Sequence, residues 1–258
     1  MFGEKPIDTV DLGLVMQALQ PIWAEKTETA SRVRGRIEAV LDWATVRGHR
    51  WGENPARWRG HLDALLPARS RVRKVKHHPA LPYEELPAFI KSLRECDGTA
   101  PRALEFLILT AARTGEVIGA DWSEIDPERR IWTTLADRMK AGREHRVPLT
   151  DRAVELLGMP PASRMGPIFK TGRGDAPLSN MAFLALLKRM GRTGLTGHGF
   201  RSTFRDWVAE KTEFPNELAE MALAHTVSNK VEAAYRRGDM FERRRELMRS
   251  WGDFARGQ

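Results

Sequence analysis

The sequence of 258 residues contains only one cysteine, Cys96, and only two tyrosines, Tyr83 and Tyr235. A single cysteine excludes an internal disulfide framework and a zinc site made of several cysteines, and it is typical of a reducing cytoplasm. No apolar run approaches the roughly 18 residues needed to cross a bilayer. The first ten residues also lack the basic and apolar regions of a signal peptide. We therefore expect a cytoplasmic protein without a membrane partner.

Acidic residues are outnumbered by basic ones. The chain has 42 Lys and Arg against 34 Asp and Glu, a net charge of +8, and its pI is near 10.0. This balance favours a polyanionic partner, nucleic acid first. An excess of Arg over Lys can also reflect genome composition, so charge alone leaves that alternative open. The hydrophobic fraction of 41% is typical of a globular protein.

The first part of the chain has the hydrophobic spacing of helices. Residues 9–65 predict one helix closed by Pro21, a second over Thr27–Arg47 and a third over Trp58–Leu65. Together they predict a small helical domain over residues 1–75. Because its core is thin, we expect that a first helix or two is missing from this domain.

A strongly basic segment, Ala68–His78, follows this domain. One interpretation is a solvated interdomain linker. We favour the other, a linker that contacts nucleic-acid phosphates through its cations. The proposed DNA-binding residues are Arg71, Arg73, Lys74 and Lys76. Pro79 and Pro82 mark the start of a second domain, assigned to residues 76–258.

The second domain predicts mainly helices with a small antiparallel β-sheet. Predicted helices cover Tyr83–Glu95, Ala103–Arg113, Val117–Ala120, Asp151–Leu157, Asn180–Met190, Arg201–Glu210, Asn216–Leu223, Asn229–Arg236 and Phe241–Phe254. Predicted strands cover Trp122–Ile125, Ile131–Leu135 and His145–Leu149. The last two strands are separated by Lys140–Arg143, which predicts a hairpin-like loop.

His198 and Arg201 stand three residues apart at the head of a predicted helix, so both can face one site. An imidazole beside a guanidinium suits a phosphate, although this pair also arises by chance in an Arg-rich chain. Four further side chains carry candidate chemistry, each with an ordinary structural alternative. They are Arg113 as a helix-terminal cation, Lys140 as a turn lysine, His225 as a packed or capping histidine, and Tyr235 as an interface tyrosine.

These motifs together resemble the tyrosine recombinases, or phage-type integrases, most nearly their prophage and genomic-island branch. The match covers nearly the whole chain and follows one order. It runs through Ala112–Glu116, Met139–Lys140, His145–Leu149, Pro177–Asn180, His198–Arg201, Leu223–His225, Ala234–Arg236, and the tail Arg243–Met248 with Trp251–Asp253. The resemblance implies a helical catalytic domain with a small antiparallel sheet, preceded by a partial α-helical core-binding domain.

The resemblance also implies a role for each site residue. Tyr235 attacks a DNA phosphate and forms a 3′-phosphotyrosyl intermediate, while Arg113 and Arg201 hold the non-bridging oxygens. Lys140 protonates the leaving 5′-oxygen. His198 and His225 bind the phosphate or assist proton movement, and Glu116 orients Arg113 or His198. Phosphodiester exchange retains the bond energy, so no cofactor, ATP or metal is expected.

The implied partners are double-stranded attachment-site DNA and three further copies of the chain, as a homotetramer on synapsed DNA. An excision factor or DNA-bending protein is a further expected partner, and a bacterial, nucleoid-associated location follows. Two departures stand out: Ala224 replaces the usual glycine before His225, and the first 75 residues match only the later part of a core-binding domain. The chain therefore resembles a truncated or minimal form. A relaxing enzyme of the type IB topoisomerase kind and a DNA-binding protein without cleavage remain the alternatives.

Overall fold

A computed structural model of the chain describes residues 3–72, 79–172, 174–225 and 238–257. The chain forms two compact units, Met1–His77 and His78–Gln258. Several predictions fall outside the described residues: the helix Asn229–Arg236 with Tyr235, and the linker cations Arg73, Lys74 and Lys76. For Arg71 the structure describes the backbone, in a short helix, but not the side chain.

The first unit contains helices α1 (Leu12–Trp23), α2 (Thr27–Val46) and α3 (Arg69–Val72). Trp23 organises its core: the indole stacks on Trp58 with ring centroids 5.5 Å apart, and its Nε1 donates to the carbonyl of Pro67 at 2.9 Å. Pro21 lies inside α1 rather than closing it. A proline in the last turn removes one backbone hydrogen bond, and the burial of Trp23 offsets that loss.

One further prediction about the first unit was wrong in its extent. Only Leu62–Ala64 of the predicted Trp58–Leu65 helix is helical, as a single 3₁₀ turn. On α2, Leu41 is buried but Val40 and Val46 are exposed. Helical spacing alone cannot tell which of two adjacent apolar positions faces the core.

The second unit contains eight helices among the described residues. They are α4 (Leu86–Arg94), α5 (Thr99–Thr110), α6 (Thr114–Ile118), α7 (Asp151–Leu157), α8 (Ala182–Arg189), α9 (Gly199–Lys211), α10 (Asn216–Ala222) and α11 (Phe241–Ala255). Three 3₁₀ turns cover Tyr83–Glu85, Trp122–Glu124 and Ala136–Arg138.

An antiparallel sheet in the order β1-β2-β3 supports one side of this unit. Its strands are β1 (Ile125–Asp126), β2 (Ile131–Thr134) and β3 (His145–Pro148). Trp132 pairs with Val147 and Thr134 with His145. The predicted strand Trp122–Ile125 is instead a 3₁₀ turn leading into a two-residue strand, because Asp121 caps the turn by accepting from the Ser123 amide at 2.9 Å.

Helix α5 forms the centre of the core, since nine of its residues are buried. Helix α11 packs against it within the same chain: the buried Trp251 donates from Nε1 to the carbonyl of Ile108 at 2.8 Å. The Trp251 ring also lies in an aromatic cluster with Phe204, Trp207 and Phe254. The C-terminal helix is therefore a part of this unit's own core.

Candidate active site

Arg113 stands at the start of α6, not at the end of the preceding helix as predicted. Helix α5 ends at Thr110, and Ala111 then takes a left-handed conformation with φ 50°. Arg113 is the N-cap of α6, and its backbone N–H donates to Glu116 Oε2 at 2.8 Å. The guanidinium Nη1 donates to Oε1 of the same carboxylate at 2.7 Å. One buried carboxylate thus fixes both the backbone and the side chain of Arg113.

Arg201 lies in the first turn of α9 and is only 4% exposed. Its Nη1 donates to the carbonyl of Ala111, and its Nη2 to the carbonyl of Leu223 at 2.6 Å. These carbonyls follow the C-terminal ends of α5 and α10, where helix dipoles favour a cation. Burial and the neighbouring positive charge of Arg113 nevertheless lower the pKa of Arg201 to about 10. Two cations are therefore held side by side in one site.

His225 connects Arg201 to a carboxylate. Its Nε2 lies 3.1 Å from Arg201 Nη2, and its Nδ1 lies 2.6 Å from Glu220 Oε2. Because a guanidinium can only donate, Nε2 accepts and Nδ1 carries the proton donated to Glu220. Arg205 also donates to Glu220, at 2.6 Å. Although partial burial acts to raise the pKa of Glu220, the hydrogen bonds from His225 and Arg205 hold it below its usual value.

Two glycines allow the head of α9 to approach this site. A Cβ on Gly197 would lie 2.9 Å from Thr114 Oγ1, and one on Gly199 would lie 2.4 Å from the carbonyl oxygen of Pro79. Neither distance is compatible with a side chain unless its surroundings move. His198 stands between these glycines at an exposed position, and its carbonyl accepts from the Arg201 amide at 3.1 Å. Close packing of the backbone on either side of the exposed His198 thus requires glycine at positions 197 and 199.

Lys140 lies in the loop that connects β2 to β3, as predicted. Met139 before it is buried, whereas Lys140 is exposed and makes no hydrogen bond or ion pair with the residues that the structure describes. The described part of the chain therefore brings together two contacting pairs, Arg113 with Glu116 and Arg201 with His225, and both arginines donate to the carbonyl of Leu223. It leaves Lys140 and His198 at exposed positions, and Tyr235 lies outside it.

The two arginines retain donors for a ligand. Arg201 uses three of its five N–H groups on Ala111, Leu223 and His225. Arg113 likewise uses three, one on Glu116 and two on the carbonyls of Leu223 and Ala224, at 3.4 and 3.1 Å. Each arginine keeps two N–H groups that have no acceptor among the described residues, including the buried Nε of Arg201. Two neighbouring guanidinium groups with unused donors are chemically suited to a small anion.

Sequence reasoning assigned no role to two residues beside this site, Glu220 and His145. His145 begins β3 and is partly buried. Burial, followed by the charge of Arg244, lowers its pKa to about 4, against smaller effects of Glu116 and a backbone hydrogen bond with Ala222. The residue stood inside a motif of the family resemblance, but nothing in the strand pattern indicated its neighbours. Glu220 carried no signal beyond its place five residues before His225.

Residues 3–72, 79–172, 174–225 and 238–257 contain neither a candidate metal site nor a candidate membrane span. Within them, no group of three or more His, Cys, Asp or Glu side chains could hold a metal ion. No helix within them is long and apolar enough to cross a membrane.

Comparison with known proteins identifies both parts of the chain. Residues 1–61 match the sequence profile of the phage integrase central domain, and residues 80–241 match that of the phage integrase family. The chain is 34% identical over 235 residues to the integrase of Shigella phage Sf6, and also to prophage integrase IntS of Escherichia coli K12. Each match covers 88% of this chain and 58% of the relative. The chain thus spans about three fifths of the length of these relatives.

Solved structures show the same fold at lower identity. A lambda integrase dimer bound to a COC′ core site superposes with a TM-score of 0.59 at 20% identity, covering 91% of this chain and 82% of that one. A lambda integrase tetramer bound to a Holliday junction has a TM-score of 0.60 at 18% identity, covering 86% and 66%. These likenesses confirm the predicted fold class, a mainly helical unit of tyrosine-recombinase type with a small antiparallel sheet.

Proposed function

Because this chain belongs to the phage integrase family, we propose that it is a tyrosine-type site-specific recombinase that cleaves and rejoins double-stranded DNA. Integration and excision of a mobile element are the processes in which we place it. The adjacent arginines Arg113 and Arg201 carry this proposal, because protein acceptors fix both guanidinium groups, and fixed donors can stabilise the charge that develops on a phosphate. The rest of the assignment follows from the chemistry that such a pair supports.

In the proposed step, the phenol of Tyr235 passes its proton to His198 or to water, and its oxygen attacks the DNA phosphorus. The new bond joins phosphorus to the phenol oxygen, and the bond from phosphorus to the 5′-oxygen breaks. Lys140 donates a proton to that oxygen, so the products are a 3′-phosphotyrosyl ester and a 5′-hydroxyl. Reversal with another 5′-hydroxyl rejoins the strands and returns the proton to Lys140. The number of phosphoester bonds stays constant, and no metal is assigned a role.

The role of the arginines is to stabilise negative charge as it develops on the non-bridging oxygens. Their donors are fixed before DNA arrives, since Glu116 and the helix-end carbonyls hold both guanidinium groups. A phenol with a pKa of about 10 is about one part in a thousand ionised at pH 7, and nearby cations lower the free energy of forming the phenolate. We therefore assign Arg113 and Arg201 to both the phosphate and the attacking oxygen.

We assign the two histidines different tasks. His225 accepts from Arg201 through Nε2, so in this arrangement it orients the guanidinium and does not donate to the phosphate. His198 is exposed, and it stands one turn from Arg201 at the head of α9. We propose that His198 donates a hydrogen bond to the phosphate or moves the phenol proton. Glu116 and Glu220 keep Arg113 and His225 in place.

We further propose that the active species is a homotetramer on synapsed attachment-site DNA. The support is the fold shared with the lambda integrase tetramer bound to a Holliday junction. We assign the basic residues of the linker segment to phosphate contacts with DNA: Arg71, Arg73, Lys74 and Lys76. We place the two domains at residues 1–75 and 76–258. An excision factor or DNA-bending protein remains a proposed partner.

Covalent trapping tests this function. Nicked duplexes tiled across the ends of the element are mixed with wild-type protein or with Tyr235→Phe, and the reaction is stopped with detergent. We expect a covalent protein–DNA adduct with the wild type only, and its position maps the cleaved bond. An adduct with Tyr235→Phe would remove Tyr235 from the nucleophile role. Binding without any adduct would support a DNA-binding protein, and relaxation of any supercoiled plasmid regardless of sequence would support a topoisomerase.

A further inference from the structure

Arg138, which has no role in the proposed mechanism, connects the residue Glu124 before the sheet to Glu116 in α6. It ends the 3₁₀ turn Ala136–Arg138, two residues before Lys140. Its Nη1 donates to the carboxylate of Glu124, and its Nη2 donates to the backbone carbonyl of Glu116 at 2.7 Å. The Arg138 side chain is 24% exposed, whereas that of Glu124 is 3% exposed. The guanidinium therefore bridges two fixed acceptors close to the proposed general acid.

The first acceptor belongs to the framework of the sheet. Glu124 Oε2 accepts from the indole of Trp132 at 3.0 Å and from the amide of Asp121 at 3.2 Å. Trp132 is fully buried in β2. Since these contacts use the other carboxylate oxygen, Glu124 is held whether or not Arg138 is present, and it provides a rigid anchor.

The second acceptor belongs to the arginine site itself. The Glu116 carbonyl receives Arg138, while the Glu116 carboxylate holds Arg113. A Cβ on Gly119 would lie 2.9 Å from Arg138 Nη2, so a glycine leaves the space in which this side chain reaches α6. One residue thus relates the position of the β2–β3 loop to that of Arg113.

The chain remains anchored up to Lys140. Met139 is buried, and its carbonyl accepts from the Gly142 amide at 2.9 Å. Lys140 and Ala141, both exposed, lie between these two points. From this geometry we infer that Arg138 is a positioning residue, which sets the place of the Lys140 ammonium relative to Arg113 and hence to the leaving 5′-oxygen. The inference rests on the proposed function, in which Lys140 is the general acid.

A change of the leaving group in the DNA substrate shows whether Arg138 positions the general acid or only supports the fold. A 5′-oxygen needs a proton on departure, because the alkoxide is about as basic as hydroxide and the pKa of its conjugate acid lies far above neutral pH. A thiol has a pKa of about 8.5. When sulfur replaces the bridging 5′-oxygen, the phosphorus–sulfur bond breaks and the sulfur leaves as a thiolate with its electron pair, without a proton. Such a DNA substrate does not require the general acid.

The experiment measures single-turnover adduct formation on the oxygen and sulfur substrates. On oxygen we expect Lys140→Ala to be slower by about 10²–10⁴-fold, and Arg138→Met by about 10–100-fold through misplacement of the ammonium. On sulfur, both variants should return to near the wild-type rate. Arg113→Ala should remain slow on both substrates, because it acts on the non-bridging oxygens.

Arg152→Met is a control for removal of one arginine from a buried carboxylate, although Glu105 also accepts from Arg94 at 2.6 Å and so stays paired. Arg152 donates to Glu105 at 2.9 and 3.0 Å, and the two side chains are 30% and 3% exposed. This variant should cleave both substrates like the wild type. Because Arg138→Met leaves the Glu124 carboxylate unpaired, a double variant with Glu124→Gln repeats the test; the amide oxygen can still accept from Trp132.

Each outcome bears on the inference. Normal cleavage of the oxygen substrate by Arg138→Met, or equal slowing on both substrates, would overturn it. Failure of sulfur to rescue Lys140→Ala would overturn both the general-acid assignment and the inference that depends on it. A wild-type protein that forms no adduct with either substrate would instead contradict the proposed function.

Discussion

His145 gives the second unit a pH dependence that can be measured. The perturbation is a change from pH 8 to pH 5, applied to the wild type and to His145→Gln. Burial and the charge of Arg244 lower the pKa of His145 from 6.5 to about 4. Between those values the unfolded chain binds a proton that the folded unit does not. Stability from this residue is therefore fully present above pH 6.5 and is lost as pH falls towards 4.

The magnitude follows from these two pKa values. At pH 5 the imidazole is almost fully protonated in the unfolded chain and about nine-tenths neutral in the folded unit. This difference lowers the free energy of unfolding by about 2 kcal/mol. At pH 8 this loss is close to zero, since the imidazole is neutral in both the folded and the unfolded chain. The wild type should thus lose about 2 kcal/mol more than His145→Gln between the two pH values.

Urea unfolding measures this difference. Hydrogen exchange of the backbone amides in β2 and β3 serves as the readout, so that the measurement reports on the second unit alone. His49→Gln, in the first unit, is the matched control and should leave the pH dependence of the second unit unchanged. Proton NMR of the imidazole should also give a pKa near 4. If His145→Gln and the wild type lose the same free energy between pH 8 and pH 5, the packing described for His145 is wrong.

Three other features of the fold can be tested by substitution, and so can the linker cations. Gly199→Ala should destabilise the second unit by at least about 2 kcal/mol, because its Cβ would lie 2.4 Å from the Pro79 carbonyl oxygen. Gly115→Ala, with nothing within 4 Å, should be neutral or stabilising by up to about 1 kcal/mol in the same thermal unfolding assay. Trp251→Ala should lower the free energy of unfolding by about 3–5 kcal/mol because it empties the space of a buried indole, and unchanged stability would show that α11 does not pack on α5. Neutralising the linker cations should reduce the slope of log binding constant against log salt by about 0.9 for each phosphate that the variant no longer neutralises, and an unchanged slope would exclude these interactions. Those cations are Arg71, Arg73, Lys74 and Lys76.

The sequence predicted most of the fold because its main elements follow simple rules. The apolar run Leu104–Leu109 has the density of a central helix, and that segment became the buried α5. The hairpin loop at Lys140 follows from two β-rich runs separated by a short polar segment. The segment Trp122–Ile125 was assigned wrongly because side-chain capping by Asp121 competes with strand formation, and strand propensity does not include it.

The sequence named Arg113, Glu116, Arg201 and His225 as members of one site, and their roles stay predictions; it did not indicate their contacts. Arg113 and Arg201 were proposed as partners on one phosphate, from motifs that lie far apart in the chain. That Arg201 binds the carbonyls of Ala111 and Leu223 depends on where two helices end, which periodicity locates only to within a few residues. Similarly, the hydrogen bond from His225 to Glu220 needs the left-handed turn at Ala224, with φ 48°. Such contacts arise from tertiary packing, so local patterns do not contain them.

The carbonyl contacts of Arg201 have a consequence for how such a protein can lose its activity. Arg201 donates to the ends of two helices, so its replacement removes a tether of the fold together with the charge that we propose acts on the phosphate. Lys140, by contrast, is exposed and can change with little effect on packing. Inactive descendants that still fold should therefore arise by substitution at exposed positions such as Lys140, and Arg201 should persist in them as a structural residue. An intact arginine pair is for this reason evidence of a maintained fold, whereas the state of the exposed lysine reports on selection for cleavage.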